Sequence, residues 1–376
     1  MPPTGQHLTE QQAQELDDTF LASDPFQYFR SRIASLLTWC ENAPVEETSL
    51  PEAQPGSIRA EFNHYLQRPA TDRPFNILDV HAQVAADALA LRHHAAEAVV
   101  RLACAVLAPS PSADAPCLWA EIATGPTQIQ GAIDRLNEVS HAPEASERML
   151  RSLVEPANLA AARSNPDIVG ACNVLVEWLG YAIRLLTPAD IDLQAGHNKV
   201  KHGLAVRARS DLRVTFMTTG PTAEDTIPVS ALNGPDAVDI FDQPVVELLA
   251  RGPKVDGHRQ GLEVTQLRLK SSALLADAYM LAVSHGTMFR VAAVQHFADR
   301  DDLPDHQVAP AAPGYPVGGP RPEHIDAKSP LGMRFIITVP PGGGPAKRET
   351  GIGFRDYFQT LHFDYDGHRT VRATDD

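Results

Sequence analysis

The spacing of apolar residues changes along this chain from a period near 3.6 to a period near 2 shortly after residue 200. Before that point apolar side chains recur three and four positions apart. Short amphipathic helices are predicted over Glu10–Ala22 and Ser57–Gln67, and a longer one from Asp24-Pro25 to about Cys40, with Phe26, Phe29, Ile33, Leu36 and Leu37 at helical spacing. From Asn76 to Ala108 there is no glycine and no internal proline, and Ala and Leu abound. This predicts one helix about 45 Å long at about 1.5 Å per residue. A short helical or turn element is expected at Cys117–Ala123, and further helices at Pro126–Ser140 and Pro143–Glu155. Pro166 opens a run to about Leu186 that is apolar around most of its circumference, as a central core helix would be.

After the change, Leu212–Thr218 alternates and is rich in β-branched residues, so it predicts a strand, with a partner expected at Thr226–Ser230 beyond the Gly220-Pro221 turn. Leu262–Lys270 alternates too, with an irregularity that suggests a bulge. Ser271–Phe297 returns to a helical pattern. Ten prolines then fall between Pro304 and Pro345. The fold class expected is mainly α, a multi-helix bundle with a small antiparallel β insertion. Its parts are an N-terminal helical region over 1–75 and a helical core over 76–298 with the insertion at about 204–270. A Pro/Gly-rich linker over 299–330 and a C-terminal docking segment over 331–376 follow.

Composition narrows the function. The chain has 376 residues, 43% hydrophobic and 21% charged, with a net charge of −15. So acidic a body repels nucleic acid and anionic membrane, and any nucleic-acid contact needs a local basic patch. Cys40, Cys104, Cys117 and Cys172 have no CxxC spacing, which fits reduced cytoplasmic thiols. The first 18 residues lack a basic start followed by an apolar core, so no signal peptide is expected. The best membrane candidate, Ala95–Ala108, is interrupted by Glu97 and Arg101, so no membrane partner is expected.

Two stretches concentrate chemistry. The first is His93-His94-Ala95-Ala96-Glu97, where each histidine shares a helix face with Glu97. A metal could use that spacing, but a second Glu-x-x-His copy is lacking, and Glu97 has Arg101 four residues on as an ion-pair partner. No metal and no cofactor are expected. The second is Gly196-His197-Asn198-Lys199-Val200-Lys201-His202-Gly203. Lys199, Lys201, Arg207, Arg209 and Arg213 are opposed only by Asp211 there, a reversal of the overall charge that suits a phosphate-bearing ligand, RNA or a nucleotide. Pairing of these cations with the protein's own carboxylates is the plainer alternative. Five residues along a helix is a rotation of about 140°, so His197 and His202 do not converge on one ion. His202 suits a general base, because cationic neighbours favour its neutral form. Gly342–Lys347 lacks the Gly-Lys-Ser/Thr ending of a phosphate loop.

The His-Asn-x-x-x-His pattern, after long helices and a strongly apolar one, resembles the Arg-x4-6-His motif of HEPN proteins. The resemblance implies a homodimer whose composite site cleaves RNA without metal, of toxin or defence type. It makes His202 the catalytic histidine and Asn198 the polar residue of the motif. His197 stands where the family has arginine, and histidine lacks the permanent charge and bidentate fork of a phosphate clamp. Lys199, Lys201, Arg207 and Arg209 would bind substrate. The alternative is a non-catalytic scaffold or protein-interaction module, in which Asn198 caps a helix and Gly203 ends it.

Overall fold

The structure is a computed structural model that describes residues 8–42, 54–66, 77–110, 116–187, 193–201, 205–210, 214–217, 231, 233–241, 244–252, 254–298, 300, 303, 308–314, 316, 319–325, 332–344, 361–363 and 370–372. The protein is mainly α-helical with a small four-stranded antiparallel sheet. In chain order the helices are α1 (Glu10–Leu21), α2 (Pro25–Asn42), α3 (Ile58–Leu66), α4 (Ile77–Leu107), α5 (Leu118–Thr124), α6 (Ile129–Ser140), α7 (Ala145–Leu153), α8 (Leu159–Ala162), α9 (Pro166–Leu186), α10 (Leu193–Lys201), α11 (Ser271–Phe297) and α12 (Pro322–Ile325). The strands are β1 (Val206–Arg209), β2 (Val214–Met217), β3 (Ala237–Phe241), β4 (Val245–Arg251), β5 (Leu262–Arg268), β6 (Gly332–Ile336), β7 (Leu361–Phe363) and β8 (Thr370–Arg372).

The core is built on α4 and α11, which pack against each other along their length. Neither contains proline and both are rich in small residues, Gly286 of α11 among them, so their backbones approach closely. Ala85, Ala88, Ala95, Ala96 and Ala103 on α4 and Ala278, Ala282 and Ala293 on α11 are wholly buried. Helices α2, α6 and α9 cover further faces of α4, and α9 contributes the fully buried Trp178. Among the described residues α9, rather than Ala95–Ala108, is the helix long and apolar enough to cross a membrane, by length and composition only.

Local chemistry sets several helix starts. Thr9 and Gln12 form a reciprocal capping box on α1. Asn165 caps α9, with Pro166 at its first position. The start of α5 is capped from another helix. Asp17 of α1 accepts the backbone N–H groups of Leu118 at 2.8 Å and Trp119 at 2.9 Å.

The sheet order is β1-β4-β5-β6, antiparallel throughout. Its fourth strand comes from beyond the proline-rich segment, so the sheet is completed by the C-terminal part of the chain. Gly261 makes room for that strand, since a Cβ there would lie 1.8 Å from the carbonyl oxygen of Thr338. No bulge interrupts β4–β5. Leu262 and Val264 lie on one face of β5 and Leu267 and Leu269 near the other, which explains the broken alternation. The register shift falls in the separate β2–β3 ribbon, between Val214 and Thr215. β2 pairs with β3, and the partner expected at 226–230 lies outside the described residues.

The described part of 299–330 lies across the helical body. Arg290 of α11 donates to the carbonyls of Ala309 and Pro310, and the Trp178 indole donates to that of Pro320 at 2.9 Å. Arg321 pairs with Glu177.

Candidate functional site

The basic stretch forms α10, which spans Leu193–Lys201. Asn198 therefore lies inside a helix and does not cap one. The helix sits where α4 meets the sheet, and Gly196 permits the approach. A Cβ at Gly196 would lie 3.0 Å from Leu267 Cδ1, 3.5 Å from Leu248 and 3.8 Å from Leu89. The next residue, His197, is 7% exposed. Its ring stacks on His93 of α4 at 5.1 Å between centroids and 10° between planes. The two chemistry-rich stretches of the sequence thus meet through their first histidines.

His93 is fully buried, and its Nδ1 lies 2.9 Å from the Leu89 carbonyl. That geometry makes Nδ1–H the donor and leaves Nε2 unprotonated. Burial pushes the pKa of His93 well below the usual imidazole value. The Arg92 guanidinium and His197 push the same way, against the Leu89 carbonyl. The contact between the two rings is a stack in which His93 is neutral.

The outward face differs. Asn198 and Lys201 are exposed and Lys199 half-buried. His202, with Gly203 and Leu204, lies outside the described residues. His94 is also exposed, and its ring stands edge-on to Tyr28 at 5.5 Å and Phe29 at 5.3 Å, both on α2. Partial burial lowers its pKa. Lys201 of α10 and Arg32 of α2 lower it further, while Glu97 opposes them. Lys201, Arg32 and His94 are all exposed, and the two cations and Glu97 act on the same ring.

Arg207 and Arg209 belong elsewhere. Successive strand residues face opposite sides. Val206 and Ala208 share the face that α10 covers, so the two arginines point to the far side of the sheet. There Arg209 lies 3.4 Å and Arg207 3.9 Å from Glu247, which also accepts from Gln266 at 2.8 Å. These cations do pair with the protein's own acid.

Beneath the surface, α4 and α11 are joined by a buried ion pair, Arg92 to Asp277 at 3.5 Å, with side chains 1% and 6% exposed. Tyr181 of α9 donates to Asp277 at 2.6 Å. The signal for this network was present in the sequence: Arg92 and Asp277 each interrupt an otherwise apolar helix and need a partner if buried. Among the described residues no three His, Cys, Asp or Glu side chains are grouped as a metal site requires. His93 turns inward and His94 outward.

Comparison with protein-family models, curated proteins and solved structures finds no match.

Proposed function

We propose that the surface shared by α10, α4 and α2 binds single-stranded RNA, and that the protein is an HEPN-like, metal-independent ribonuclease of toxin or defence type. The observation that carries this reading is that exposed Lys201 and Arg32, opposed by Glu97, both act on the exposed His94 in a protein whose net charge is −15. Cations gathered on an acidic body give a polyanion a place to approach. On this reading the protein is a cytoplasmic homodimer, His202 acts as general base, and Asn198 and Lys199 lie along the same helix as contacts. His197 holds α10 to the body. Arg207 and Arg209, on the far side of the sheet, belong to a separate surface.

The burial of His197 favours a second reading, a non-catalytic scaffold or protein-interaction module in which α10 is a structural clamp. Incubation with total RNA in EDTA, beside His202→Ala, separates the two. Cleavage that persists in EDTA and disappears in the variant supports the ribonuclease; intact RNA with a folded protein supports the scaffold.

A further inference from the structure

We propose that the surface formed by α2, α9 and α11 is a binding site for an extended proline-rich segment of another protein, filled in the free protein by this chain's own residues 308–322. The inference goes beyond the RNA reading and does not rest on it.

The chain's own segment has the pattern of such a ligand. Pro310, Pro313 and Pro316 recur every third residue, which is the repeat of a polyproline helix. Burial follows the same period. Residues 309 and 310, then 313, 316 and 319, are half-buried, and 311, 312 and 314 are exposed. One edge therefore rests on the helices while the rest faces solvent, and Gly314 and Gly319, both at positive φ, turn the path. None of the described residues between 308 and 325 is buried, whereas Trp178 beneath them is wholly buried. The segment covers the core from outside.

The receiving side chains are positioned by the helical body. Glu155 holds the Arg290 guanidinium at 3.0 Å, and Tyr181 stands edge-on to the Trp178 indole at 5.3 Å. Arg290 donates to the carbonyls of Ala309 and Pro310, and Trp178 to that of Pro320. Among the described residues, every hydrogen bond between the backbone of this segment and the helices runs from a helix donor to a segment carbonyl. Proline suits such a surface, because it keeps its carbonyl and has no N–H to satisfy. One turn before Arg290, Gly286 leaves a seat. A Cβ there would lie 3.3 Å from Pro313 Cγ and 3.1 Å from Phe26 Cβ. Glu177, paired with Arg321, favours a basic residue directly after a proline.

Aromatic contact, together with donors aimed at carbonyls, is how extended proline-rich peptides are recognised, and their preformed backbone lowers the entropy cost of binding. Being part of the same chain, residues 308–322 compete at a high effective concentration. An outside peptide therefore enters when this segment is loosened.

The test uses the full chain and a fluorescein-labelled synthetic peptide of residues 308–322, followed by anisotropy. Pro313→Asp/Arg321→Glu alters the segment and leaves the receiving surface intact. This variant is expected to bind the peptide about tenfold or more tighter than the unaltered chain does. Adding Trp178→Phe keeps a ring and removes the donor, and is expected to weaken that binding about three- to tenfold. A peptide with alanine at every proline is expected to bind about three- to tenfold more weakly. A folded double variant that takes up no peptide overturns the proposal. So does one that dimerises by exchanging segments without taking up peptide, which gives the surface to a second copy. If the double variant does not fold, Arg321→Ala decides in its place. Peptide uptake above that of the unaltered chain, at an unchanged urea midpoint, supports the site, and no gain in uptake overturns it.

Discussion

Replacing Asp277 by Asn tests the buried network at the centre of the fold. The substitution keeps the shape and an acceptor for Tyr181, and removes only the charge. Arg92 then remains 1% exposed with no anion at 3.5 Å. Its Nε and Nη2 already make no hydrogen bond, and the Tyr181 hydroxyl beside it is held neutral by burial and cannot replace the anion. Breaking one side of a buried pair costs about 3–5 kcal/mol. With a urea m-value of about 3 kcal/mol/M, that moves the unfolding midpoint down by about 1–1.7 M. Trp178, buried and 5.3 Å from Tyr181, reports the transition by fluorescence. The double variant Arg92→Met/Asp277→Leu should recover most of the loss, because an apolar pair of similar volume removes both desolvation penalties. A cost for Asp277→Asn below about 1 kcal/mol, or a double variant as unstable as the two single losses added, refutes the reasoning.

Two further outcomes follow from the same structure. His285, buried, has its pKa pushed down to about 4, burial first and His94 second. The unfolded chain therefore binds more protons than the folded one below about pH 6.5, and stability present above that pH is lost as pH falls toward 4. The loss from this residue is about 3 kcal/mol across the window. Urea midpoints between pH 7 and pH 4.5 should fall accordingly, and His285→Leu should flatten the slope by about 1.4 kcal/mol per pH unit. Gly261→Ala places a methyl against the Thr338 carbonyl, a clash that only backbone movement relieves. A cost of about 2–4 kcal/mol is expected, with proteolysis beginning at 332–344 rather than elsewhere.

The long helices were legible because they are uninterrupted. α4, α9 and α11 match their expected spans to within a residue or two, since proline and asparagine or lysine mark the ends and no glycine or proline interrupts α4. The sheet was harder to read. β4 runs Val-Val-Glu-Leu-Leu-Ala-Arg, with apolar pairs instead of alternation, because Val246 and Leu248 face the core while Val245 lies buried on the opposite side. β1 is only four residues long. For the candidate site, density of charge identified α10, and the histidine doublet drew attention to α4 without saying which ring turns inward. What no local pattern carries is that Lys201 acts on His94, more than a hundred positions away. That depends on how α10 seats against α4, and Gly196 is its one local clue. Arg32 and Tyr28 gave none, being ordinary outward residues of α2.

The segment that crosses α9 and α11 is held in an asymmetric way. Arg290 and Trp178 grip it by the carbonyl oxygens of Ala309, Pro310 and Pro320, and every amino acid has a carbonyl. The strap can therefore drift in sequence while keeping its path, provided its backbone stays extended. The two residues that grip it have no such freedom. In a set of natural variants, Arg290 and Trp178 should stay constant beneath a covering that changes.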